Sequence, residues 1–161
     1  MAETREIYLA GGCFWGMQAY LDKLPGVVET EVGYANGTTE APTYEEVCSG
    51  TTHHAETVHV TYDPAVIGLP LLLAAYLEVI DPTSVNKQGE DEGEQYRTGI
   101  WWTDSADAEV VASALAKATA KLPEGAGPVV VQTGDVQGFW PAEEYHQKYL
   151  AKDPCGYCHV D

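Results

Sequence analysis

Residues 5–16 read REIYLAGGCFWG, and this stretch determines how the fold begins. We predict a short first strand over Arg5–Ala10. Gly11 and Gly12 follow it, and two glycines free the backbone to turn out of a strand. Met17 then opens an apolar series at i, i+3, i+4 and i+7, the stripe of a packed helix. The stretch therefore predicts a strand, a tight turn and a helix, with Cys13 at the junction.

The rest of the chain continues in strands and helices of similar size. The predicted strands are Val28–Tyr34, Val58–Tyr62, Thr98–Thr103 and Pro128–Gln132, the predicted helices are Leu69–Ile80, Val111–Leu122 and Ala142–Leu150, and residues 86–97 form a polar loop. The first six elements run strand, helix, strand, strand, helix, strand, the order of split β-α-β units. We therefore expect an α+β, ferredoxin-like two-layer sandwich, with helices packed on a mixed or antiparallel sheet.

Composition limits the class of protein. The chain has 161 residues, 45% hydrophobic and 20% charged, which is typical of one soluble domain. Its 8 Lys and Arg against 25 Asp and Glu give a net charge of −17, which argues against binding nucleic acid or an anionic membrane. The N-terminus lacks a secretory signal, and the apolar run Leu69–Leu77 contains Pro70 and is too short to span a bilayer. A cytoplasmic location is the expectation, and there the four cysteines are buried, catalytic or metal-binding rather than a disulfide framework.

Cys13 is the first candidate for chemistry. It lies where a strand gives way to a helix, and unpaired N–H groups at a helix N-terminus favour the reactive thiolate. Phe14 and Trp15 follow, and two large rings beside a nucleophile can form an apolar pocket for a small alkyl group. The alternative is a buried structural cysteine among core aromatics. The flanking glycines and the placement at the helix start favour the nucleophile.

Glu56 is the candidate acid. It shares strand parity with Val58, Val60 and Tyr62, so its carboxyl is expected on the core side. Burial raises the pKa of a carboxyl and keeps it protonated near neutral pH, which a general acid requires. If the strand begins after Glu56, the carboxylate is solvated instead.

Polar side chains elsewhere complete the candidate site. Tyr44 and Tyr96 are good hydroxyl donors to a polar oxygen, although ordinary packing is the default for any one of ten tyrosines. Asp91 lies among carboxylates in what reads as a solvated acidic loop, and its spacing does not match a calcium loop. Cys48 reads as buried and inert, and His146 as a residue at the edge of the site.

The C-terminus carries a second thiol pattern. Cys155, Cys158 and His159 spell C-x-x-C-H, the pattern of haem attachment. Two further ligands are needed before this pair can hold zinc. A tail with thiols can also fold over an active site and attack an oxidised Cys13.

Several segments together resemble peptide methionine sulfoxide reductase of the A type. The segments are Gly12–Gly16, Pro42–Gly50, His54–Glu56, Gln95–Arg97, Tyr145–Gln147 and Gly156–Cys158, and they occur in the expected order over nearly the whole chain. The resemblance implies an enzyme that reduces the S epimer of methionine sulfoxide, free or in proteins. It implies no metal or organic cofactor and thioredoxin as the reductant. We separately expect a monomer.

The same resemblance implies roles for individual residues. Cys13 attacks the sulfoxide sulfur, and Glu56 supplies a proton to the oxygen. Phe14 and Trp15 hold the substrate methyl group, Tyr44 and Tyr96 hydrogen-bond the oxygen, and Asp91 helps to organise the site. Cys158 resolves the sulfenic acid of Cys13 as a disulfide. We therefore expect one catalytic domain over residues 1–161, with 150–161 a mobile tail that carries the recycling cysteines.

Two departures leave questions open. His53 stands where the family pattern commonly has Gly. Cys155 is an extra thiol that can resolve, relay the disulfide to Cys158, or take no part. A competing hypothesis is a redox sensor or zinc module built on Cys155, Cys158 and His159, in which Cys13 merely packs. A c-type haem protein is the third.

Overall fold

A sheet of six strands forms the centre of the computed structural model, which describes residues 3–88 and 91–149. The strands of the described chain are β1 Arg5–Ala10, β2 Val27–Ala35, β3 Ala55–Tyr62, β4 Lys87–Gln88, β5 Asp91–Glu92, β6 Gly99–Trp102, β7 Gln132–Asp135 and β8 Phe139–Pro141. The helices are α1 Phe14–Asp22, α2 Tyr44–Cys48, α3 Leu69–Val79 and α4 Asp107–Ala120, with short 3-10 turns at Glu94–Tyr96 and Glu144–His146.

The strand order in the large sheet is β7-β6-β1-β3-β2-β8. All neighbours pair antiparallel except β6 and β7, which are parallel. Strands β4 and β5 form a separate hairpin. The mixed α+β class is therefore confirmed, and the predicted order of the first six elements is found in β1, α1, β2, β3, α3 and β6, with α2 and the hairpin between them. The ferredoxin-like label stays a prediction.

Helices α1 and α3 cover one face of the sheet. Alternate residues of the strands point to that face, so that Ile7 and Leu9 of β1 join Val58 and Val60 of β3 in the main core. The helices contribute an apolar stripe of their own. Its buried members are Phe14, Met17, Leu21, Leu69, Leu72, Leu73 and Tyr76. The opposite face carries a smaller cluster of buried residues, Tyr8, Ala10, Ala35, Ala55 and Trp101.

Two predicted elements are wrong. The last predicted strand, 128–132, is found at 132–135 as β7. Its pairing with β6 begins where the Gln132 N–H donates to Thr98 O, so residues 128–131 of the described chain have no partner on β6. Over residues 142–148 the predicted helix is replaced by a 3-10 turn at Glu144–His146 and a turn at 147–148, and residue 149 is helical. The Gln147 side chain bonds to the backbone of Val32, and Lys148 adopts a left-handed φ of 56°, so no α-helix runs through residues 147–148.

The predicted loop over residues 86–97 contains the β4–β5 hairpin and a 3-10 turn in the described part. Over residues 3–88 and 91–149, none of the helices has the length and apolar character needed to cross a membrane.

Candidate active site

Cys13 lies at the N-cap of α1, directly after the turn that ends β1. Gly12 has a φ of 82°, a left-handed conformation that favours glycine. A Cβ on Gly11 would lie 2.7 Å from Ile80 Cγ2 and from Met17 Cε, so the chain passes too close to α3 for a side chain. The predicted strand, glycine turn and helix are confirmed, and the turn buries the thiol to 5% exposure.

The resting thiol is protonated. Burial raises the pKa of Cys13, and the charge of Glu56 raises it further. The N–H groups of Trp15 and Gly16 lower this pKa, but their effect is smaller, and Cys13 makes no capping hydrogen bond to the helix. The helix N-terminus thus favours the thiolate as expected, but burial outweighs its effect on the pKa of Cys13.

Glu56 lies beside the same helix end. Strand β3 begins at Ala55, so Glu56 is inside the strand, and its side chain is 1% exposed. The Phe14 N–H donates to Glu56 Oε1 at 3.2 Å, while Oε2 is buried with no partner within the described residues. Burial raises the pKa of Glu56 to about 8, so the carboxyl is mostly protonated at pH 7. The inward orientation predicted from strand parity is confirmed.

A cluster of aromatic rings covers the start of α1. The Phe14 ring centroid lies 5.7 Å from Tyr34 and 6.4 Å from Tyr44, and Trp15 lies 6.4 Å from Tyr44. Phe14 is fully buried, whereas Trp15 keeps part of its surface exposed. The structure thus brings the ring of Tyr44 against Phe14 and Trp15, the two residues that follow Cys13. An apolar pocket beside the thiol requires such a cluster of rings.

Two members of this cluster carry roles that the sequence reasoning missed. His146 is 1% exposed, and its Nδ1 accepts a hydrogen bond of 2.9 Å from Trp15 Nε1–H. Burial lowers the pKa of His146, so the ring is neutral, with its proton on Nε2. Tyr149 stacks on Trp15 with centroids 4.0 Å apart. The motif Tyr145–Gln147 marked this segment, but only the fold shows that it holds the indole.

The two tyrosines predicted to bind oxygen lie near the carboxyl. Burial raises the pKa of both Tyr44 and Tyr96, and the charge of Glu56 raises each further. Both hydroxyls therefore remain donors at any working pH. Arg97 follows Tyr96 directly in the chain. Its guanidinium donates hydrogen bonds to Asn36 O, Glu94 O and Gln132 Oε1. These bonds hold the turn that carries Tyr96 in place.

Asp91 is the more distant member of the predicted site. It lies in β5 and is partly buried. Its charge raises the pKa of both Cys13 and Glu56, so it is close enough to act on them electrostatically. The loop is thus not wholly solvated, and Asp91 lies close enough for its charge to act on the site.

The remaining cysteines differ from expectation or lie outside the description. Cys48 is exposed rather than buried, because it ends the five-residue helix α2, which buries Val47 alone. Cys155 and Cys158 lie outside the described residues, as does His159. Within 3–88 and 91–149, no group of three or more His, Cys, Asp or Glu side chains is arranged to hold a metal ion.

A separate apolar groove of about 530 Å³ lies between α3 and α4. Its walls include Ala74, Leu77, Val110 and Ala114, and none of the predicted site residues. The candidate catalytic residues Cys13 and Glu56 therefore lie outside this groove, at the start of α1.

The arrangement at α1 combines three chemical functions. Cys13 supplies a soft nucleophile, and Glu56 supplies a proton held in a dry environment. The aromatic rings supply an apolar surface beside both. Such a site suits transfer of an oxygen atom from a small substrate with one polar and one apolar end.

Known proteins are similar to this chain in sequence and in fold. A family model described as peptide methionine sulfoxide reductase matches residues 5–161. Peptide methionine sulfoxide reductase MsrA of Lachnoclostridium phytofermentans is 53% identical over 157 residues, 98% of this chain and 93% of the relative. Methionine sulfoxide reductase A of Corynebacterium diphtheriae aligns over 96% of this chain and 77% of its own, with a TM-score of 0.86 at 36% identity. Mxr1 of Saccharomyces cerevisiae in reduced form aligns over 99% and 92%, with a TM-score of 0.83 at 35% identity.

Proposed function

Because the chain belongs to the peptide methionine sulfoxide reductase family, we propose that it reduces the S epimer of methionine sulfoxide, free or in proteins, to methionine. The observation that carries the proposal is the meeting of Cys13 and Glu56 at one helix end. Cys13 is the N-cap residue of α1, and Glu56 accepts from the N–H of the next residue, Phe14. A thiol beside a protonated carboxyl is what oxygen removal from a sulfoxide requires.

The oxygen transfer balances within these two groups. Cys13 sulfur bonds to the sulfoxide sulfur as Glu56 protonates the oxygen. The substrate S–O bond then breaks as the OH passes to Cys13 sulfur, and the transient S–S bond breaks to release methionine and leave Cys13 as S–OH. The substrate sulfur gains two electrons, and the Cys13 sulfur loses two. The thiol proton of Cys13 replaces the one that Glu56 gave, and no net proton is taken up. A resting thiol rather than a thiolate fits this exchange, because both groups are protonated when substrate arrives.

The neighbouring side chains orient the substrate. Phe14 and Trp15 hold its methyl group, and Tyr44 and Tyr96 donate to its oxygen. The buried rings and the raised pKa values of both tyrosines support these roles, since a dry pocket strengthens each hydrogen bond. Asp91 organises the site through its charge.

Recycling falls to the C-terminal cysteines. In this proposal the Cys158 thiol attacks the sulfenic acid of Cys13, which forms a disulfide and releases water. Thioredoxin then reduces the disulfide with two electrons. Cys155 is an alternative resolver or a relay to Cys158. We assign residues 1–161 to one cytoplasmic, monomeric catalytic domain, with 150–161 as the recycling tail.

Separated S and R epimers of methionine sulfoxide test the reaction. With dithiothreitol, the wild type should reduce only the S epimer, and C13S should reduce neither. Reduction of the R epimer, or turnover by C13S, would contradict the proposal. Folded wild type without turnover of either epimer would also reject it, and stoichiometric zinc in that protein would support the redox-sensor alternative.

A tail variant tests the recycling step. C158S should release about one methionine per enzyme and then stall with thioredoxin, because the sulfenic acid has no resolver. C155S is the matched control and should turn over normally if it is a bystander. Sustained thioredoxin-driven turnover by C158S would assign the resolving role to Cys155.

A further inference from the structure

We propose that Glu143 is a positioning residue for the oxygen-binding group Tyr44. This inference rests on the proposed function, because it concerns how one of the oxygen-binding side chains is held. Glu143 lies just after β8, in the segment that leads to His146, and it is partly buried. It is remote in sequence from Cys13, Tyr44 and Glu56. It also lies outside the motif Tyr145–Gln147, and the motifs assign it no role.

The carboxylate of Glu143 joins two tyrosines. Its Oε1 accepts from the Tyr34 hydroxyl at 2.8 Å, and its Oε2 accepts from the Tyr44 backbone N–H at 3.0 Å. Tyr44 is the first residue of α2, and that N–H has no partner inside a helix. One side chain therefore fixes the start of α2 against β2.

The second partner connects this contact to the acid. Tyr34 is fully buried and lies directly opposite Glu56 in the pairing of β2 with β3. Its ring also packs against Phe14, at 5.7 Å between centroids. A chain of direct contacts thus runs from Glu56 and Phe14 through Tyr34 and Glu143 to Tyr44. The position of the Tyr44 hydroxyl relative to Glu56 depends on this chain.

An ionised carboxylate is the side chain that suits this place. Burial acts to raise the pKa of Glu143, but the hydrogen bonds from the Tyr44 N–H, its own backbone N–H and the Tyr34 hydroxyl, together with nearby His146, outweigh it and hold the pKa below its usual value. A carboxylate can accept from both donors at once. A glutamine of the same shape has one acceptor and one NH₂ group, so it must set its NH₂ against either the Tyr44 N–H or the Tyr34 hydroxyl.

The capping box of α2 does not replace this contact. Thr43 and Glu46 cap the helix reciprocally, but both are exposed, and their described side-chain hydrogen bonds join only each other's backbone. They stabilise the turn of α2 without setting its place on the sheet. Among the described hydrogen bonds of the Tyr44 backbone, only the one to Glu143 links the start of α2 to β2, through Tyr34.

A double-mutant cycle tests the proposal. E143Q should lower kcat/KM for the S epimer about tenfold, mainly through kcat, because the bond to the oxygen strengthens as charge grows in the transition state. Y44F removes the hydroxyl that Glu143 positions. In the Y44F background, E143Q should therefore cost less than twofold. A merely structural role would add its full loss to that of Y44F, and this additive result would overturn the proposal.

Two controls sharpen the cycle. E45Q removes one charge from the exposed start of the same helix and should leave kcat/KM unchanged. If E143Q unfolds, Y34F tests the same link more gently, since it deletes one of the two donors and keeps the carboxylate. Y34F should lower kcat/KM by a smaller factor that again vanishes with Y44F, and a persistent loss there would overturn the proposal.

The outcome also separates the two levels of inference. Wild type that fails to reduce either sulfoxide epimer rejects the proposed function. Active wild type with E143Q of equal kcat/KM rejects the role of Glu143 alone. A spectral readout is independent of activity: with ¹⁵N-tyrosine labelling, the Tyr44 amide proton of the wild type should resonate downfield, and E143Q should move it upfield.

Discussion

Glu56 is the residue at which stability and chemistry pull in opposite directions. Its side chain is 1% exposed, and its pKa is shifted by burial, the Phe14 N–H and the charge of Asp91, with no contribution from a cation. The single hydrogen bond from Phe14 to Oε1 satisfies half of the carboxyl, and Oε2 has no partner among the described residues. Burying a carboxyl this way costs stability whenever it ionises, and the same burial supplies a proton donor near neutral pH.

The pH dependence of unfolding follows from this burial. The pKa of Glu56 is raised from 4.5 to about 8, so the folded state binds the extra proton between these values. The unfolded state loses that proton first, and the contribution of Glu56 to stability is complete below pH 4.5 and lost as pH rises through 8. E56Q, which never ionises, should therefore be more stable than the wild type by a few kcal/mol at pH 9, and nearly equal to it at pH 4.5.

Urea unfolding of both proteins at the two pH values measures this difference. The same E56Q protein should lose at least 10²-fold in kcat, because a glutamine has no proton to give. A kcat close to that of the wild type would remove Glu56 from the acid role, and equal stabilities at pH 9 would contradict the raised pKa. E92Q is a matched control, since Glu92 is exposed on the nearby hairpin.

His53 shows why a glycine suits the loop before β3. Its φ is 59°, the left-handed region, where a β-carbon costs about 1 kcal/mol. His53 Nδ1 lies 2.9 Å from Glu94 Oε2, but both side chains are about half exposed, so this pair adds little. H53G and H53A both lose the pair, and they differ in backbone strain at this φ, which outweighs the greater freedom of glycine in the unfolded chain. H53G should exceed H53A in unfolding free energy by about 1 kcal/mol in urea titrations, and equal values would contradict the strain.

Elements whose residues follow a simple period could be predicted from the sequence. Strand parity placed Glu56 on the core face because Val58, Val60 and Tyr62 alternate with polar residues, and the glycine pair placed Cys13 at a helix start. Such patterns are local, so they survive in any fold. The meeting of Cys13 with Glu56 is not local, and only the family resemblance linked the two before the structure.

Elements held by tertiary contacts could not be predicted. The sequence from Ala142 to Leu150 has helical composition, but the Gln147 side chain binds both the N–H and the C=O of Val32, which holds its described part on the edge of β2. The exposure of Cys48 likewise depends on α2 being one short turn. The pKa of Cys13 depends mainly on its burial, which cannot be deduced from its position at a helix N-terminus.

Gln147 should matter as much as a strand for the placement of this segment. It also donates to Ala142 O at 3.2 Å, so one amide bonds to three backbone groups, of which Val32 O also accepts from the Ala142 N–H. Q147A leaves these groups with fewer partners, and we expect a loss of about 1–3 kcal/mol in urea unfolding. Amide exchange at Val32 should accelerate with it. Q137A is the control, because the Gln137 side chain is exposed and donates only to Asp135 O in its own turn; equal losses in both variants would contradict the role.

The whole molecule carries an imbalance that no single contact relieves. Its net charge is −17, with only 8 Lys and Arg. Two of these cations are already bound to acidic side chains: Arg5 lies 2.9 Å from Asp104, and Lys148 lies 2.9 Å from Asp22. Most carboxylates therefore repel one another across the surface, and the repulsion disfavours the compact state.

Screening of this repulsion should make the protein more stable in salt. The Debye length falls from about 10 Å at 0.1 M to about 3 Å at 1 M, so charges on neighbouring elements cease to interact. Tm should therefore rise between 0.05 M and 1 M NaCl, and by the same amount in choline chloride, because screening depends on ionic strength rather than on the ion. The combined variant Glu3→Gln, Glu40→Gln and Glu124→Gln removes three exposed charges and should start with a higher Tm and gain less from salt. A Tm that is flat or falls with NaCl would show that other terms balance the repulsion.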